Sequence, residues 1–190
     1  MNLAIAVLIL LIIIPGIAAY GWIATGNRLA ALETRIDTAL ADVDVYLKHR
    51  HNLIPGLVET VRGFASHERE ILAQVTQARS AALAAAGKEG KAESEQRLSR
   101  SVTSLMSVVE RYPDLKASVH FKALHDELTD AEHRITAARR FYNLAVDEYN
   151  ATLRQFPGTF VAKARMMSAR RPFDLGIERV LLDEPVAIKF

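Results

Sequence analysis

The sequence predicts an all-α protein: a single N-terminal transmembrane helix followed by a long antiparallel helical bundle. Three observations point there. Leu3 to Ala24 (LAIAVLILLIIIPGIAAYGWIA) carries no charge. Beyond it, apolar residues return every three or four positions in long stretches. Proline and glycine are scarce, at 6 and 9 in 190 residues, and fall mostly at what read as boundaries.

The uncharged run is long enough to cross a bilayer, because a helix rising 1.5 Å per residue needs about 20 apolar residues to do so. Pro15 and Gly16 lie within it and are tolerated in membrane helices. Tyr20 and Trp22 stand near its end, where amphipathic rings favour the headgroup layer. A cleavable signal peptide is the competing reading, with small residues at Ile17-Ala18-Ala19. It is disfavoured because no Lys or Arg precedes Arg28 and the run exceeds a signal-peptide core. Cysteine is absent, which excludes lipidation on cysteine, disulfides and thiolate metal sites. Basic residues downstream (Arg28, Arg35, Lys48) against none upstream predict a short N-terminus outside and the domain in the cytoplasm, and the lack of cysteine fits either side of a bacterial inner membrane. The sequence divides into an anchor (1–26), a bundle (27–168) and a C-terminal tail (169–190).

The first bundle helix is expected from Asn27 to about Ala86. Its stripe is Leu29, Leu32, Ile36, Leu40, Val43, Leu47, Ile54, Val58, Val61, Ala65, Leu72, Val75, Ala78 and Ala82, with two steps of a full heptad. Pro55-Gly56 is the expected bend or break. Gly87 and Gly90 end the segment. A second helix follows from Lys91 to Tyr112, with Leu98, Val102, Leu105, Val108 and Val109 inward. Pro113 stops it, and Asp114 is placed to cap the next helix.

The third helix is the most regular. Phe121, Leu124, Leu128, Ala131, Ile135, Ala138, Tyr142, Ala145, Tyr149 and Phe156 repeat with a 3.5-residue period, which implies coiled-coil-like left-handed packing. Pro157-Gly158 ends it. Thr159 to Met167 reads as a short helix, with Phe160, Val161 and Met166 covering one end of the bundle. Arg170 to Asp174 is turn-like, and Val180 to Phe190 shows no period.

Net charge is +2, from 24 basic and 22 acidic residues, which gives no electrostatic footprint for nucleic acid. None of the six histidines (His49, His51, His67, His120, His125, His133) stands in an HExxH arrangement, and no metal site is predicted. Nucleophile-elbow, P-loop and dinucleotide signatures are missing, so no catalytic or cofactor-binding residue is assigned and no cofactor is expected. Asp37, Asp44 and His51 stand seven apart on one line. They read as a polar seam against Arg134, Arg139 or Arg140, or else as a ligand site. Asn143 and Asn150, each after a tyrosine, read as register-fixing asparagines. Lys48-His49-Arg50-His51 is the basic cluster best suited to an anion or lipid headgroup, although on a straight helix it lies about 35 Å beyond the anchor.

Several of these residues also carry a family pattern. The run from Asp44 to Ala65 (DVYLKHRHNLIPGLVETVRGFA), the following His67-Glu68 and Val75-Thr76-Gln77-Ala78-Arg79 resemble the diagnostic first block of the LemA family. Tyr112-Pro113-Asp114-Leu115-Lys116-Ala117, with Phe121 and Leu124, is similar to its second block. Glu132 to Val146, Tyr149-Asn150 and Phe156-Pro157 are similar to its third. The resemblance covers about Ile5 to Phe160. It departs at Leu40, where the family has tryptophan, at Gly56, where it has asparagine, and after Met167. It implies a single-pass bacterial membrane protein with a helical bundle and no established enzymatic activity.

Read together, these features describe a membrane-tethered helical interaction or scaffold module. Its expected partners are the lipid bilayer, through the N-terminal helix, and another protein, but not nucleic acid. The alternative is a ligand-sensing or catalytic module that uses the Asp37, Asp44, His51 and Arg139 seam. A third reading, membrane remodelling by oligomerised helices, requires an exposed apolar face.

Overall fold

Every regular element among the described residues, 2–173 of a computed structural model, is a helix. They are α1 (Asn2–Phe64), α2 (Arg69–Ala84), α3 (Lys88–Val109), α4 (Pro113–Ala117), α5 (Val119–Arg154) and α6 (Gly158–Ala164). The expected aperiodic segment Val180 to Phe190 lies outside the described residues, as do Asp174 and the tail beyond it. The chain forms two compact units. One comprises Asp44–Thr136, the other Met1–Val43 with Ala137–Phe190. Both α1 and α5 contribute to each.

The first helix does not break at Pro55. A proline inside a helix removes one N–H and leaves the carbonyl four residues back without its donor. That carbonyl belongs to His51, and the Arg79 Nε–H donates to it at 2.7 Å. The orphaned acceptor is therefore satisfied from α2, and α1 continues to Phe64. The break falls later, in Ala65–Glu68. There Ala65 N–H closes on Val61 C=O at 2.8 Å and Glu68 N–H turns onto Ala65 C=O at 3.1 Å. Glu68 fixes this turn by accepting from Arg111 at 2.9 Å and from the Tyr112 hydroxyl at 3.1 Å. What the apolar stripe predicts as one helix to Ala86 is thus two, α1 and α2.

The α2–α3 connection needs a left-handed residue, and Gly87 supplies it with φ 75°. Gly90, predicted as a second stop, instead lies inside α3. Asp114 does not cap α5. Pro113 opens the short α4 at its first position, where its missing N–H costs nothing, and Asp114 sits in that first turn without a capping bond.

Residues 44–136 form an up-down-up-down arrangement of α1, α2, α3 and α5. The antiparallel pairing of α1 with α5 shows in Arg50 meeting Glu132 and Gly56 meeting Leu124. Its core joins Ile54, Leu57 and Val61 to Leu72, Val75, Leu98, Leu105, Phe121 and Leu128. Burying such a side chain stabilises by about 1.5–3 kcal/mol.

In the other unit α1 and α5 also run antiparallel. Leu29, Leu32, Ile36 and Ala39 pack on Tyr142, Ala145, Val146, Tyr149 and Leu153, and Val161 and Ala162 of α6 complete the cluster. The tight return into α6 depends on Gly158, where a Cβ would stand 2.0 Å from the Thr152 carbonyl oxygen. The expected inward role of Phe156, Phe160 and Met166 is not found. They are 84%, 61% and 91% exposed, because Leu153, Val161 and Ala162 already fill the end of this core. Among the described residues α1 is the one helix long and apolar enough to cross a membrane.

Candidate functional site

Between Leu47 and Ile54 the inward positions of α1 are Arg50 and His51, a charged residue and an imidazole where the stripe calls for apolar groups. Arg50 is 2% exposed. Its Nη2 is paired with Glu95 of α3, and its Nη1 donates to Glu132 of α5 at 2.5 Å and to Ser99 Oγ at 3.0 Å. His51 Nε2 stands 2.8 Å from the other Glu95 oxygen. Glu95 is 4% exposed. Burial pushes its carboxyl up, but the hydrogen bond from His51 and the Arg50 charge outweigh this and hold it below the usual glutamate range. Arg50 Nε is buried with no partner among the described residues.

The predicted basic cluster is therefore split. Arg50 and His51 turn inward and are consumed by Glu95, while Lys48 and His49 remain exposed, so the cluster is not a surface anion site. The predicted polar seam is also redistributed. Asp44 pairs with Lys91 at 3.2 Å and His51 with Glu95, so both find their partners on α3. Arg134 pairs with Asp130 of its own helix at 2.6 Å. The other five histidines are exposed. Among the described residues no group of three His, Asp or Glu is placed to hold a metal ion. A groove of about 710 Å³ is lined by Arg62, Ser66, Arg69, Leu72, Ala73, Thr76, Gln77 and Ser80. None of the seam residues lines it.

The second cluster belongs to the other unit. Glu33 accepts from the Tyr149 hydroxyl at 3.2 Å and from Arg170 at 3.4 Å. Burial and the Glu33 charge push the Tyr149 phenol up. Glu148, 41% exposed, accepts from Arg28 at 3.4 Å and Arg35 at 3.1 Å. Asn143 and Asn150 do not meet each other or a helix partner's amide, as register-fixing asparagines would. Each holds the backbone of the segment after α6 at both groups. Asn143 donates to Phe173 C=O at 3.0 Å and accepts from its N–H at 2.7 Å; Asn150 does the same for Arg170 at 2.9 and 3.0 Å. The spacing has a geometric reason. Seven helical residues rise about 10.5 Å and three extended residues about 10 Å, so a heptad pair of side chains meets every third backbone residue of a strap. Tyr142 adds a bond from its hydroxyl to Arg171 C=O at 3.2 Å and a ring contact to Phe173 at 4.7 Å.

The residues missed by sequence reasoning are Glu95, Ser99 and Glu132 around Arg50, Arg79 behind Pro55, and Glu33 and Arg170. A family model described as the LemA family matches residues 39–190. The chain belongs to the LemA family. The match takes in the whole Arg50 cluster and both strap asparagines. Among proteins similar to this LemA-family chain is Protein LemA of Metamycoplasma hominis, 26% identical over 149 residues, 78% of this chain and 68% of that protein. Magnetosome proteins MamQ 2 and MamQ 1 of Paramagnetospirillum magneticum are 34% identical over 58 residues. Those matches cover 30% of this chain and 21% of each relative.

Proposed function

We propose that this LemA-family chain is a non-enzymatic, membrane-anchored interaction module of the bacterial inner membrane, with residues 1–26 as its anchor and the helices beyond as a scaffold for another protein. The observation that carries the reading is the continuity of α1: the apolar run and the core-forming stripe are parts of one helix. An apolar segment built as a rigid extension of a folded domain suits a permanent tether. The buried charges support a structural role for the polar residues. Glu95 is paired with Arg50 and His51, and none of the three lines the groove beside α2.

Val45 and Leu144 are large apolar residues left exposed on α1 and α5, and they are natural points of contact for a partner. A photo-crosslinking amino acid at either position, in cells, is expected to capture a discrete membrane-fraction protein. Capture of lipid alone, or of nothing, overturns the scaffold reading. Because the native chain has no cysteine, a single Glu148→Cys probe reports orientation. With the domain in the cytoplasm it stays unlabelled by an impermeant maleimide until the membrane is broken.

A further inference from the structure

We propose that the corner made by the end of α5, α6 and the residues just after it is a second membrane contact. It would seat Phe156, Phe160 and Met166 in the headgroup layer of an anionic bilayer beside the point where α1 leaves the membrane. The inference rests on the anchored reading above. It begins with three large, strongly exposed apolar side chains within an eleven-residue stretch, Met166 and Phe156 being the most exposed outside the uncharged run. Phe156 and Phe160 lie edge to face, 6.0 Å between centroids, and form one aromatic patch. On α6 the division is clean: Val161 and Ala162 face the core, while Phe160 and Lys163 face out.

Position supplies the second argument. Arg165, at the end of α6, donates to the Gly26 carbonyl at 3.4 Å, and its guanidinium lies so close that a Cβ on Gly26 would stand 2.7 Å away. Gly26 is two residues past Ala24, about 3 Å along the helix. The polar layer of a bilayer is about 5–8 Å deep on each side, so Arg165 and the corner it belongs to fall within it. Tyr20 and Trp22 of α1 occupy the neighbouring level, and rings at that level prefer the interface.

Charge supplies the third. No acidic residue stands between Glu148 and Asp174, whereas Arg154, Lys163, Arg165, Arg170 and Arg171 do. Apolar side chains interleaved with cations are what an anionic interface recognises, each element adding to the attraction of the other. A protein partner would need no such tie to the exit of the anchor.

The test uses the full chain with Trp22→Phe and Phe156→Trp, so that the new indole is the sole tryptophan, reconstituted in phosphatidylcholine–phosphatidylglycerol vesicles. The control is Leu144→Trp in the same background, an exposed position on α5. The Phe156→Trp indole is expected to emit to the blue of the control, to be quenched by lipids brominated near the headgroup, and to be quenched several-fold less by aqueous iodide. Reversing Lys163 and Arg154 to Glu is expected to restore iodide quenching. Iodide quenching equal to the control in vesicle-bound protein overturns the contact and leaves the anchor standing. Protection from iodide without quenching by brominated lipid means that protein covers the corner, a second copy included, and also overturns it. Failure of the chain to float with the vesicles removes the anchored reading itself.

Discussion

The two units each hold a small network of arginine and carboxylate, yet one is buried and the other lies open to water. Around Glu95 the arginine and the carboxylate are withdrawn from water, and only Glu132, the second partner of Arg50, reaches solvent. Around Glu148 the same ion-pair chemistry is open to solvent. The difference teaches what burial does to an ion pair. Desolvation offsets most of the Coulomb gain, so the buried network adds little net stability when intact but is costly to break, because losing Glu95 leaves the buried Arg50 with Glu132 alone. The exposed network can lose a member and let water take its place.

The comparison is broken most forcefully at Glu95. Replacement by Ala should cost about 3 kcal/mol, the lower end for breaking a buried pair because Arg50 keeps Glu132, read as a fall in the denaturation midpoint of the detergent-solubilised chain by circular dichroism. A cost below that of a surface change would mean that water reaches the cluster. The pH dependence follows from the same group. Its folded pKa lies below the unfolded one, so its contribution is complete above the ordinary glutamate value and is lost as pH falls through the folded value. Glu95→Gln should flatten that part of the acid-side stability profile, and an unchanged slope would assign it elsewhere.

Arg79→Met should come next, at about 1–3 kcal/mol, since it removes the donor from the buried His51 carbonyl. In a Pro55→Ala background the same change should cost distinctly less, because alanine returns the missing N–H. Additive costs in a double-mutant cycle would uncouple the two residues. Asn143→Ala removes two bonds to the half-buried strap and should cost about 1 kcal/mol, with faster amide exchange at Phe173 as its local signature. Unchanged exchange there would mean that Tyr142 and Asn150 suffice to hold the strap. Smallest of all, Glu148→Gln should stay within about 0.5 kcal/mol in spite of its two arginine partners. A larger loss would show that the contrast between the units is not one of burial.

Much of the fold was legible as periodicity. The stripes of α3 and α5 are buried almost residue for residue, from Leu98 to Val109 and from Phe121 to Tyr149. The informative places are where the first stripe skips. It has two full-heptad gaps, Leu47 to Ile54 and Ala65 to Leu72. One is filled by Arg50 and His51 and the other holds the α1–α2 turn. A gap in an apolar stripe therefore marked the buried ions and the break alike. Glu95 gave a similar sign, three residues before Leu98 on the inward face of α3. That Arg50 would meet Glu95 was not legible, since the two are 45 positions apart and many carboxylates compete. Pro55 did not mark the break because proline's cost depends on whether the freed carbonyl finds a donor, and that donor came from another helix. The strap was hidden for a comparable reason: asparagines that hold backbone leave no pattern in the segment they hold.

The unbroken course of α1 has one more consequence, a rotational one. A helix turns about 100° per residue, so Trp22 and Leu29, seven apart on the same helix, have their angular relation fixed by the residues between them. Inserting a single residue at Thr25 would swing the Tyr20 and Trp22 rings about 100° relative to the core stripe, whereas inserting seven would nearly restore them. The apolar run thus has a fixed phase relative to the core stripe, and any twist applied to it arrives undiminished at Leu29.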